Sequence, residues 1–82
     1  MKVIDKDSIC FLSEMGHNRF LYPNKNYHNV IKEGSAVRLL PWIGIGDLKA
    51  VEIDSSCLED NKNIDSQRLV VWIRKKEYDR CQ

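Results

Sequence analysis

Cys10, Cys57 and Cys81, together with His17 and His28, are the side chains of this chain best suited to holding a metal ion or attacking a carbonyl. A structural zinc site brings its ligands in pairs, at C-x₂₋₄-C or H-x₃₋₅-H spacing, because a tight knuckle must aim two of them at one ion. None of the five residues is paired in that way. No metal and no cofactor is expected; the cysteines read as small buried apolar groups and the histidines as loop residues. No nucleophile elbow or cysteine-protease signature surrounds the thiols. The carboxylates Asp47, Glu52, Asp54, Glu59, Asp60 and Asp65 form an acidic segment. Most of it reads as solvated surface, with no neighbour that would shift a pKa. Gly44-Ile45-Gly46 fails as a phosphate loop: a dinucleotide fingerprint needs a third glycine where Lys49 stands, and a P-loop needs Lys-Ser or Lys-Thr where Asp47-Leu48 follow. The chain is also short for enclosing a substrate-sized pocket. No catalytic residue is assigned, and an enzyme is not expected.

Binding is the more natural chemistry. Pro41-Trp42-Ile43-Gly44-Ile45-Gly46 sets large apolar side chains inside a stretch punctuated by proline and glycine, where a solvated turn carries polar ones. Either the loop folds back and plugs the core, or it projects and offers Trp42, Ile43 and Ile45 as anchors for a protein partner or a second copy. The alternative reading is nucleic acid, through Arg68, Arg74, Lys75, Lys76 and Arg80 near the C-terminus. The stretch from Arg19 to His28 supports it by interleaving Arg19 and Lys25 with Phe20, Tyr22 and Tyr27. Against it stand a formal charge of only +1 and a middle segment, residues 41–65, that would repel phosphate. That segment holds two basic and six acidic residues, whereas residues 66–82 hold five basic and two acidic. Such polarity suits a charge-complementary partner or self-pairing, unless the acidic segment folds against the basic end and neutralises it.

These groups belong to one domain, residues 1–82, since typical domains run from about 50 to 250 residues. Hydrophobic residues at 43% and charged residues at 30% argue against wholesale disorder. The longest apolar run, Leu69-Val70-Val71-Trp72-Ile73, is far short of the ~20 residues a membrane span needs. Residues 9–12 are too short and too closely flanked by acids to be a signal peptide. Three well-spaced cysteines then suggest reduced thiols and a cytoplasmic setting.

The elements that must position the candidate groups are short strands. Residues 68–73 are apolar and β-branched and read as a strand buried on both faces. Its expected antiparallel partner is 48–53, with Val51 facing Val71, Ile53 facing Leu69, and Ala50 leaving room for Trp72. Residues 36–40 form a third strand, opened by Gly34 with positive φ and ended by Pro41. Residues 8–13 and 19–22 form a hairpin; the alternative is one short N-terminal helix, capped by Asp7 and stopped by Gly16. The clustered asparagines Asn18, Asn24, Asn26 and Asn29 mark a loop, and 54–67 an exposed connection. The expected fold is mainly β, with about five strands. It is either a strongly twisted antiparallel sheet or a small barrel, and the run Glu33-Gly34-Ser35-Ala36-Val37-Arg38-Leu39 followed by Gly46-Asp47 and two strands is similar to SH3-like barrels. The expected function is that of a small non-enzymatic binding protein: an adaptor, an inhibitor or a subunit.

Overall fold

In the computed structural model, which describes residues 2–13, 23–62 and 68–81, the apolar run 69–73 lies at the heart of the molecule. The elements in chain order are β1 (Lys2–Val3), β2 (Ser8–Ser13), β3 (Pro23–Ile31), β4 (Ala36–Ile45), β5 (Leu48–Asp54), a 3₁₀ turn (Ser55–Cys57), β6 (Arg68–Arg74) and helix α1 (Lys75–Asp79). The strands form one antiparallel sheet in the order β1-β4-β5-β6-β2-β3. β6 is an interior strand, paired with β5 on one edge and β2 on the other, and its two apolar faces are covered by packing in two separate clusters. Its register on β5 is the expected one: Val51 opposite Val71, Ile53 opposite Leu69, Ala50 opposite Trp72.

Strand alternation divides the apolar side chains between the two faces. Cys10, Val51, Ile53, Leu69, Val71 and Ile73 share one cluster with Ile4, Ile31, Val37 and Leu58. Phe11, Leu40, Leu48, Ala50, Val70 and Trp72 form a second cluster. The sheet curls around the first. Ile31 at the end of β3 bridges to Leu58, beyond the end of β5, and Lys32 N–H donates to the Cys57 carbonyl at 2.9 Å, although β3 and β5 are not neighbours in the sheet. Gly34 takes φ 84° in the turn between β3 and β4, and its N–H donates to the Ile4 carbonyl.

Several expectations need correction. Among the described residues the sheet curls but is not closed into an SH3-like barrel, because its edge strands, β1 and β3, do not pair with each other. Six strands lie among the described residues, close to the expected five. Residues 8–13 are strand β2, so the N-terminal helix is not formed there; the helix among the described residues is α1, at the other end of the chain. The asparagines 24, 26 and 29 lie in strand β3 and not in a loop; an edge strand facing water accepts polar side chains. Pro41 does not end its strand, which continues to Ile45. The connection after Asp54 is not simply exposed, since Leu58 is fully buried. The remaining hairpin residues, 14–22, and residues 63–67 lie outside the described residues.

Candidate functional site

Strand β4 is where regular sheet and surface chemistry part company. Its pairing with β5 runs regularly from Arg38 opposite Glu52 to Leu40 opposite Ala50, then resumes with Gly44 opposite Lys49. Pro41, Trp42 and Ile43 have no partner on β5 and form a bulge. Proline favours this outcome because it has no N–H to give to a ladder. Among the described residues, the outer edge of β4 is covered by β1 only at Ala36 and Val37, and the bulge lies beyond that cover. A bulge with a proline blunts such an edge against accidental pairing.

The two fates foreseen for the loop are divided among its side chains. Ile43 is half-buried and packs against the second apolar cluster. Trp42 instead stands 69% exposed, and Ile45 is 37% exposed. The chain reverses at Gly46, with φ 58°, and Asp47, whose carbonyl accepts the Lys75 N–H at 2.7 Å. The start of α1 therefore abuts the β4–β5 turn. Lys49 completes the surroundings: its ammonium donates to the Pro41 carbonyl oxygen at 2.9 Å.

The five basic residues of the alternative reading do not converge. Arg68 and Arg74 stand at opposite ends of β6, about 20 Å apart at ~3.3 Å per residue. Arg68 pairs with Glu52 at 3.2 Å, and Arg74 with Asp47 at 3.3 Å while also lying over the Phe11 ring. Lys75 pairs with Asp79, and Arg80 with Asp5 and Glu77. Of the five, Lys76 takes part in no ion pair among the described residues. Glu52 and Asp47 belong to the acidic middle segment, so that segment does fold against part of the basic end. Phe20 and Tyr22 lie outside the described residues. Tyr27 is exposed, on a second bulge where the β2–β3 register jumps between Phe11 and Leu12. Nothing in the polar run around it announced a bulge.

The thiols do not form a site. Cys10 is fully buried in the first cluster, and burial pushes its pKa up to about 12. Cys81 is half-buried, and its thiol is raised by burial and by the carboxylates of Asp5 and Glu77. Among the described residues, no group of three or more His, Cys, Asp or Glu side chains is placed to hold a metal. No helix among them is long and apolar enough to cross a membrane. No protein-family model, curated protein or solved structure matches the chain.

Proposed function

We propose that this chain is a small binding protein without catalytic activity, acting as an adaptor, inhibitor or subunit through protein–protein contacts made by Trp42, Ile43 and Ile45. The observation that carries the reading is the 69% exposure of Trp42 on the bulge of β4. A tryptophan offers roughly 150–250 Å² of surface for burial, and a domain this small gains from every apolar side chain it can bury. Scattered exposed apolar residues are ordinary. Here the indole shares its strand with exposed Ile45, and tryptophan is the residue type most enriched among interface hot spots. Engagement of Arg68, Arg74, Lys75 and Arg80 in ion pairs favours this reading over nucleic-acid binding. Three free cysteines suit a reducing compartment such as the cytoplasm.

The test is affinity capture from an extract of the native host with the wild type, Trp42→Ala and Tyr27→Ala, alongside thermal unfolding of each. A protein retained by the wild type and by Tyr27→Ala should bind Trp42→Ala about 30- to 1,000-fold more weakly. Equal retention by Trp42→Ala would remove the proposed surface. Salt-sensitive binding of single-stranded nucleic acid, abolished by Lys76→Glu, would favour the alternative.

A further inference from the structure

Lys49 touches both the Trp42 bulge and the C-terminal helix. It leaves β5 opposite Gly44, donates to the Pro41 carbonyl oxygen at 2.9 Å, and places its ammonium 5.4 Å from the centre of the Tyr78 ring. Tyr78, on α1, packs in turn against the first apolar cluster. A Cβ at position 44 would stand 3.2 Å from Lys49 Cδ and 3.5 Å from its Nζ, so glycine there leaves room for the lysine stem against the bulge.

The fold alone gives no reason for a cation at this position. Leu48 and Ala50, its neighbours on β5, are buried, and Lys49 itself is half-buried. It takes part in none of the ion pairs formed among the described residues. Its charge is used instead on a carbonyl that has no β5 partner and on an aromatic face. The hydrogen bond is exposed to solvent, while the aromatic contact gains from the partial burial of Tyr78.

We propose that Lys49 is the positioning residue of the Trp42 surface: it latches the bulge to α1, fixes the backbone from which the indole projects, and so couples the C-terminal helix to the contact surface. Only the consequence for binding rests on the function proposed above; the latch itself is read from conformation, with no partner present.

The experiment uses the full chain labelled with 5-fluorotryptophan, which gives one fluorine resonance for Trp42 and one for buried Trp72, assigned with Trp42→Phe. Lys49→Met keeps the stem and removes the charge and the donor. It should shift or broaden the Trp42 resonance, leave that of Trp72 in place, and speed amide exchange over residues 42–45 by roughly tenfold. Lys49→Arg, which keeps charge and donor, should restore the wild-type spectrum. Tyr78→Leu should displace the Trp42 resonance from a different element. The latch is overturned if Lys49→Met leaves both the Trp42 resonance and exchange over 42–45 unchanged. It is equally overturned if both tryptophan resonances move together with a fall in Tm, because Lys49 would then support the whole fold and not the bulge. Loss of partner binding in Trp42→Ala with no spectral effect of Lys49→Met would sink the latch and spare the surface; the reverse result would do the opposite.

Discussion

A side chain left 69% exposed contributes little to the stability of its own fold, so Trp42 separates binding from folding. Trp42→Ala is expected to melt within a few degrees of the wild type. Had the indole plugged the core, its removal would cost ~3–5 kcal/mol, and a loss of that size in thermal unfolding would return Trp42 to the interior. The cysteines give a second check at this scale. With its pKa pushed up to about 12 inside the first cluster, Cys10 holds almost no thiolate at neutral pH. Iodoacetamide on the native protein should therefore modify half-buried Cys57 and, more slowly, Cys81, whose thiolate is disfavoured by burial and nearby carboxylates. Cys10 should react only after denaturant is added. Peptide mapping that found Cys10 alkylated as fast as Cys57 would contradict the packing of β2.

Among the elements, β6 contributes more buried apolar side chains than any other. Val71 is fully buried and pairs with Val51. Val71→Asp places an unpaired carboxylate there, at a cost of several kcal/mol against a total stability of about 5–15 kcal/mol. The variant should be unfolded or nearly so; a Tm within a few degrees of the wild type would show the strand to be misplaced. Trp72 on the opposite face is buried with its indole Nε1 lacking an acceptor among the described residues, so the ring contributes by area alone. The 3₁₀ turn after β5 responds to pH. The Asp54 carboxylate accepts the Ser56 N–H at 3.0 Å, and this bond holds its pKa below the ordinary 3.8. A carboxyl lowered on folding stabilises the native state fully above its unfolded pKa, and the contribution disappears as pH falls through the folded value. The difference in Tm between the wild type and Asp54→Ala should therefore be constant near neutral pH and shrink below the unfolded value of 3.8. A difference that grows on acidification would exclude the cap.

For the molecule as a whole, charge is arranged locally and not as a field. Glu52 lies between Arg38 and Arg68 across three adjacent strands, Asp47 meets Arg74, and Arg80 joins the C-terminal end to Asp5 in the β1–β2 connection. All these side chains reach solvent, where such a pair is worth ~0–1 kcal/mol and salt screens it. Stability should consequently be almost insensitive to ionic strength. Raising sodium chloride to about 1 M should move Tm by less than the roughly 4–8 °C that corresponds to 1 kcal/mol in a domain of this size. A larger fall would mean that the pairs act as one cooperative network.

What the residues determined by themselves is whatever depends on period and burial in neighbouring strands. The pairing of Val51 with Val71 and of Ala50 with Trp72 was readable because a slip of one residue would turn every apolar side chain to the wrong face. Gly34 was readable for a similar reason: a turn with φ 84° suits glycine and few other residues. Strand β3 was hidden because its Asn, Lys and His side chains follow no apolar alternation; an edge strand takes its order from its neighbour and not from its own composition. Helix α1 was hidden in a charged tail, since its place is set by contacts of Tyr78 with the core and of Lys75 N–H with Asp47. Sequence also left the Trp42 loop with two fates. Tertiary structure decided between them, because Ile43 packs against the second cluster while Lys49, from the adjacent strand, holds the backbone with the indole outward.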